Sequence, residues 1–415
     1  MRILWVTNIP FAYHNDMLGK KNAMVTGGAW LNAAYNSSVE RDDIVLSIVT
    51  SCNVPEIKRG CYDGNDFFIL PGGDMHVFDY SSKKNIDNCK YVLQESNPDM
   101  VVLWGSESKL SYLFSELTTV PVLVYIQGLV TIIYRHYEDG IPAKFSTLID
   151  RINRIKRTSR INIYKEQSVL EQKILKRAQG VVVENDWCED QCLSINPDLT
   201  IYRNKLPIRE AAFNAKWDIN NIERHSIFTN AGSYPIKGHH VLFQAIAQVK
   251  KVFPDVKVYV PGPKYLDNAN KFSRKTGFIN YIRYIIEQNN LKENIIFTGF
   301  LGEEDLIKKI EKCNVYVMPS IVENHSASLI EAMVVGAPCV SSLVGGVGTL
   351  IDNKSDGIIY NYLDVESLAG NIIRVFKNDE LAQKLSKGTS KIREERKCDF
   401  GAEMSVIYQK AISKS

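Results

Sequence analysis

Long apolar runs are the first thing this chain lacks. No stretch of its 415 residues approaches the roughly 18 consecutive apolar positions of a membrane-spanning helix, so no transmembrane anchor is expected. The opening Met1-Arg-Ile-Leu-Trp-Val-Thr-Asn8 is too short for a signal peptide and reads as a first strand closed by Asn8 and Pro10. Cys-x-x-Cys is missing too. Of the cysteines at 52, 61, 89, 188, 192, 313, 339 and 398, only Cys188 and Cys192 fall one helical turn apart, without a second ligand pair. That argues against zinc and dithiol frameworks and for reduced, mostly buried thiols. Asp-x-Asp occurs nowhere, and Glu184-Asn185-Asp186 is its nearest variant. Neither charge is in excess: 50 Lys and Arg against 47 Asp and Glu give +3, which calls for no nucleic-acid partner.

What is present is an ordinary globular composition, 45% hydrophobic and 23% charged, in a chain too long for one core. Apolar, β-rich runs alternate with helical stretches, which predicts βαβ units and parallel sheets. Strands are expected at 3–7, 44–49, 67–70, 100–104, 122–126 and 180–184, then at 226–230, 256–260, 294–298, 315–319 and 339–342. Each set suffices for a doubly wound domain. The join lies near the polar, proline-bearing Arg203-Asn-Lys-Leu-Pro-Ile208. Domains are therefore expected at 1–205 and 206–392, with a charged helical segment at 393–415.

The most informative segment is Pro319-Ser-Ile-Val-Glu323-Asn-His-Ser326-Ala327-Ser328-Leu-Ile-Glu331, between a buried strand and a helix ending near Gly336 and Pro338. Ser326, Ala327 and Ser328 fall at the helix mouth, where free N–H groups and the positive end of the macrodipole bind phosphate. One carboxylate precedes this anion site and one follows a turn inside it. Taken singly, Glu323 would be a cap and Glu331 a solvated residue. Between a strand and a helix, they are placed to accept hydrogen bonds from sugar hydroxyls on either side of a diphosphate.

The spacing Glu-x7-Glu, followed by Ala-Met and Gly-x-Pro, resembles the donor signature of family 4 glycosyltransferases, retaining enzymes of the GT-B fold. The resemblance implies that Glu323 contacts the transferred sugar and Glu331 the ribose. Ser326 stands where that family commonly has Gly. Gly232-Ser-Tyr-Pro-Ile-Lys237-Gly238 resembles its Gly-Arg…Lys-Gly segment, with Ser233 in the Arg position. Lys237 would then neutralise the leaving diphosphate, as a point charge suited to phosphate; otherwise it is a solvated loop lysine. Gly299-Phe300 matches the turn lining the nucleobase pocket, or is an ordinary turn with Phe300 in the core. The Gly27-Gly28 loop after the first strand resembles the family's glycine loop facing the diphosphate. Gly345-Gly346-Val-Gly-Thr349 replaces the usual acid by Thr349 and reads as structural.

The first half departs further from the family. Its two usual histidines fall at Trp104-Gly-Ser-Glu107 and Ile126-Gln127-Gly, so neither is present. Glu107, Gln127 and the loop residue His136 are the candidates left to face the reacting sugar. GT-B proteins hold the diphosphate with cations and helix dipoles, so no metal and no cofactor are expected. Their C-terminal tail commonly returns to the first domain, which is expected here of 393–415.

Residues 144–177 carry ten Lys and Arg against three acids, interleaved with Phe145, Leu148, Ile149, Ile152, Ile155, Ile161, Ile163 and Tyr164. A solvated basic face fits this pattern, and so does a surface for anionic phospholipid or a lipid-diphosphate acceptor.

The combined expectation is an α/β protein of the GT-B fold, two doubly wound Rossmann-like domains facing across a cleft. Its activity would be retaining transfer of a sugar from a nucleoside diphosphate to a glycan or lipid-linked acceptor, in the cytoplasm or peripherally at the inner membrane face. The rivals are a nucleotide-sugar epimerase and a sugar-nucleotide-binding protein without catalysis.

Overall fold

Alternation along β1 (Arg2–Thr7) sets the first sheet. Ile3 and Trp5 enter one core, Leu4 and Val6 the other, and all four are buried. A strand buried on both faces belongs to a sheet with helices on each side. The computed structural model, which describes all residues except 12, 20–28, 157, 263, 265, 267–275 and 415, has that architecture twice.

The first unit comprises residues 1–134, 163–207 and 398–415. Its eight strands are β1, β2 (Val45–Cys52), β3 (Lys58–Tyr62), β4 (Asn65–Pro71), β5 (Met100–Trp104), β6 (Val122–Tyr125), β7 (Gly180–Val183) and β8 (Thr200–Arg203). They are ordered β3-β4-β2-β1-β5-β6-β7-β8, parallel except for the β3–β4 pair. The chain winds from β1 to one side and from β5 to the other. The topological switch point, where open α/β sheets bind ligands, therefore lies between the ends of β1 and β5. The last helix, Phe400–Ser413, covers one face of this sheet through Phe400, Met404, Ile407, Tyr408 and Ala411, at helical spacing. Trp5 Nε1 donates to Tyr408 Oη at 3.1 Å beneath it.

The second unit comprises residues 135–162 and 208–397. Its sheet contains β9 (Glu223–Thr229), β10 (Lys257–Pro261), β11 (Ile295–Gly299), β12 (Cys313–Met318), β13 (Cys339–Leu343) and β14 (Ile358–Asn361). The order is β11-β10-β9-β12-β13-β14, all parallel. Here the switch point falls between β9 and β12, whose ends are level because Thr229 pairs with Val317.

Several expectations change. Residues 135–162, assigned to the first domain by sequence, pack with the second. His240 donates from Nε2 to the Asp139 carbonyl at 3.0 Å, and Asp150 accepts from Gly277 N at 2.8 Å. The segment that returns to the first unit begins at Cys398, not 393, because Arg393 is anchored on the carbonyls of Phe213, Ala215 and Val334. The basic stretch 144–177 is not one surface. Its second part lies in the helix Arg160–Arg177, which buries Ile174 and Leu175 in the first unit. Strands β3, β8 and β14 were not expected.

Candidate active site

Two loops leaving the second switch point are stitched together. Gly238 holds φ 72°, and a Cβ there would lie 1.7 Å from the Pro319 carbonyl oxygen, so only glycine allows the approach. Ile321 N donates to Ile236 O at 2.8 Å across the same junction. This brings Lys237, after β9, against Glu323, after β12: Lys237 Nζ donates to Glu323 Oε1 at 2.6 Å. The same oxygen accepts from Ser320 Oγ at 2.8 Å, and Ser320 Oγ accepts from Asn230 Nδ2 at 2.9 Å. The Lys237 stem lies over Gly232, where a Cβ would come within 2.4 Å of Lys237 Cγ. Next to Lys237, burial pushes the His239 imidazole down to about 4, and its Nε2 bonds the Asn230 carbonyl at 3.1 Å.

The helix Ala327–Val335 starts at Ser326, whose Oγ accepts from Leu329 N at 3.4 Å and lies 3.1 Å from Ser328 Oγ. Serine in the glycine position is thus the helix cap. First-turn amides, such as those of Ala327 and Ser328, lack intrahelical acceptors. Residues 329–335 are all buried, so Glu331 is no solvated face residue: it is 3% exposed. Arg209 Nη1 donates to both Glu331 oxygens at 2.7 Å. Burial pushes the Glu331 carboxyl up, and the Arg209 charge opposes that rise.

Phe300 follows Gly299 (φ 78°) and is 52% exposed, which makes it no core residue and leaves its ring available for stacking. Gly346 N donates to Asn324 O at 3.0 Å, so the Gly345-Gly346 loop braces the Glu323 loop.

The first unit has a pair of its own at its switch point. Asn8, after β1, donates from Nδ2 to Glu107 Oε1, after β5, at 2.5 Å. Among the described residues, Glu107 Oε2 and Asn8 Oδ1 are enclosed without a hydrogen-bond partner. Burial, with Glu171 nearby, pushes the Glu107 carboxyl up to about 8. Glu171 itself is buried and accepts from Ser106 Oγ (2.7 Å), Val130 N (3.0 Å) and Thr131 N (2.8 Å). This clamps the loop carrying the half-buried Gln127. Beyond Asn8 a pocket of about 580 Å3 opens, lined by Ser51, Asn53, Gly72, Gly73 and Asp74 among others. His136 is engaged elsewhere: Nδ1 lies 2.7 Å from Asp139 and its ring meets Tyr362 edge-on. Gly28 and its loop lie outside the described residues. Among the described residues no group of three or more His, Cys, Asp or Glu is placed to hold a metal.

Sequence reasoning missed Arg209, Asn230, Ser320 and Asn8. Arg209 sits just past the stretch read as a domain join, where periodicity gives no signal. Its spacing from Glu331 carries no local signature.

Residues 213–392 match the family model described as "Glycosyl transferases group 1". The putative glycosyltransferase YtcC of Bacillus subtilis is 26% identical over 173 residues, 41% of each chain. The Escherichia coli UDP-Gal:alpha-D-GlcNAc-diphosphoundecaprenol alpha-1,3-galactosyltransferase is 26% identical over 176 residues, 41% of this chain and 42% of that one. The matches thus span about two-fifths of the length of these curated relatives. Among solved structures, sucrose-phosphate synthase from Thermosynechococcus elongatus aligns with TM-score 0.69 and 15% identity, over 100% of this chain and 99% of that one. HepE from Anabaena, in complex with UDP-glucose, gives 0.69 at 12% identity, over 98% and 99%. The fold is therefore GT-B, two Rossmann-like domains, and the family and relative matches support a sugar transferase.

Proposed function

We propose that the chain is a retaining, metal-independent glycosyltransferase that moves a sugar from a nucleoside diphosphate to a glycan or lipid-linked acceptor. The observation that carries the reading is the Lys237–Glu323 pair at the switch point, beside a capped helix start and the Arg209-held Glu331. Lys237 and the amides of Ala327 and Ser328 would hold the diphosphate, as a cation and a helix mouth suit phosphate. Glu331 would accept from the ribose, Phe300 would stack on the base, and Glu323 would accept from a sugar hydroxyl.

As the anomeric C–O bond to the diphosphate breaks, its electron pair stays on the phosphate oxygen, where Lys237 and the helix amides stabilise the growing charge. The acceptor hydroxyl attacks on the same face and gives its proton to that phosphate oxygen. Because the leaving group takes the proton, the missing first-domain histidines need no replacement.

HepE crystallised with UDP and UDP-glucose supports a uridine donor as the first to try. Glu107, a buried carboxyl with a free oxygen, favours epimerisation as the second reading, since such a group suits proton transfer at a bound sugar. Incubation with labelled nucleotide-sugars, with and without acceptor glycans, separates the two. Acceptor-dependent transfer supports the first reading; an isomerised donor without acceptor replaces it with the second.

A further inference from the structure

The helix Leu148–Ile155 is mounted the wrong way round for a globular protein. At about 100° per residue, Leu148, Ile149, Ile152 and Ile155 share one stripe about 120° wide, opposite Asp150, Asn153 and Arg154. Such a stripe normally faces the core. Here the polar side faces inward. Asp150 completes a capping box with Thr147 and accepts from Gly277 N at 2.8 Å. Asp150, Asn153 and Arg154 line a pocket of about 230 Å3 with Ser233, Tyr234 and Phe278. The aliphatic side is left in solvent, with Leu148 73% and Ile155 82% exposed. Among the described residues the other exposed large apolar side chains are scattered, whereas four fall on this one helix.

We infer that this helix docks on an anionic phospholipid surface, its aliphatic stripe entering the headgroup boundary. Charge identifies the occupant. Residues 144–160 contain six Lys and Arg against one acid, and that acid, Asp150, is turned inward. Lys144, Arg151, Lys156 and Arg160 are exposed around the stripe, while the neighbouring Glu138 is paired with Arg154. Exposed Tyr284, packed 5.1 Å from the Phe145 ring, adds an amphipathic aromatic of the kind found at membrane interfaces. A basic amphipathic helix binds bilayers by apolar burial plus attraction to anionic lipid. A second copy of this chain would bring like charges together, which disfavours self-association through the same stripe. Docking does not depend on which reaction the protein performs.

The experiment is co-sedimentation with phosphatidylcholine vesicles, with and without phosphatidylglycerol, at about 0.1 M and about 1 M salt. Wild type should pellet only with the anionic vesicles and be released at high salt. Leu148→Ser/Ile152→Ser/Ile155→Ser and Arg151→Ser/Lys156→Ser should each lower binding about tenfold or more, with the melting temperature and nucleotide affinity unchanged. Ile155→Trp reports the insertion directly, because brominated lipid should quench its fluorescence in excess of the wild-type tryptophans. Absence of wild-type pelleting, or absence of that extra quenching, overturns the inference. So does a dimer, seen by light scattering, that the triple substitution dissolves.

Discussion

A single guanidinium nitrogen of Arg209 bisects the Glu331 carboxylate, 2.7 Å from each oxygen, with both side chains largely buried. One donor is thus shared between two acceptors. The Arg209 backbone N–H also hydrogen-bonds this carboxylate, so the residue holds Glu331 from main chain and side chain alike. Two effects follow that can be measured apart. Glu331→Ala should weaken nucleoside diphosphate binding by about 1–3 kcal/mol, the scale of a charge-assisted hydrogen bond. Arg209→Ala should destabilise the fold by about 3–5 kcal/mol, because it leaves a buried charge unpaired. Arg209→Met/Glu331→Gln should recover most of the stability and none of the affinity. Calorimetric titration and urea melts read the two quantities; full nucleotide affinity in Glu331→Ala would remove Glu331 from the site.

Lys237 is paired with Glu323, and a diphosphate would offer it a stronger partner. Loss of a preorganised charge at a leaving group costs roughly a hundredfold or more in turnover. Lys237→Ala should show that loss in kcat, with donor binding also weakened. Near-normal turnover would place the lysine outside the reaction. In the same assay a chelator should leave wild-type activity intact, and abolition by chelator would overturn metal independence.

Gly238 tests whether the stitched loops matter. A methyl group there meets the Pro319 carbonyl at 1.7 Å, in a backbone conformation that side chains disfavour. Gly238→Ala should cost several kcal/mol if the loops hold, or part Lys237 from Glu323 if they yield. Either way nucleotide affinity falls. A variant with wild-type melting temperature and affinity would show that the contact is dispensable.

The doubly wound plan was legible because its central strands are continuous apolar runs. The three missed strands, β3, β8 and β14, are all sheet edges. At an edge one side faces solvent, so Lys58–Tyr62 alternates half-buried and exposed residues, buries none fully and has no continuous apolar run. Glu323, Lys237 and the Ser326–Ser328 segment were legible as local motifs. Arg209 and Asn8 were not, because each meets its partner across about a hundred residues or more of chain, 122 for Arg209–Glu331 and 99 for Asn8–Glu107. The segment 135–162 was misassigned for a related reason: its attachments, Asp139 to His240 and Asp150 to Gly277, are tertiary.

Stability should fall on both sides of neutrality, for opposite reasons. Burial pushes His14, His239 and His240 down to about 4, so each binds a proton more readily when unfolded. Their contribution is complete above the unfolded value near 6.5 and is lost as pH falls toward 4. Each can contribute on the order of 3 kcal/mol. Glu107 has the reverse sign: its carboxyl, up at about 8 in the fold, holds its proton more tightly when folded. That contribution is complete below the ordinary carboxyl value of about 4.5 and is lost as pH rises through about 8. Between about 4.5 and 6.5 the two effects oppose each other, so Glu107→Gln, which keeps an oxygen for Asn8 and cannot ionise, should flatten the fall from about 6.5 to 8 and steepen the rise below it. Urea melts of both proteins from acid to alkaline pH give the comparison. An alkaline limb that keeps its slope in Glu107→Gln would mean that another group sets it and that the Asn8–Glu107 pair is solvated in solution.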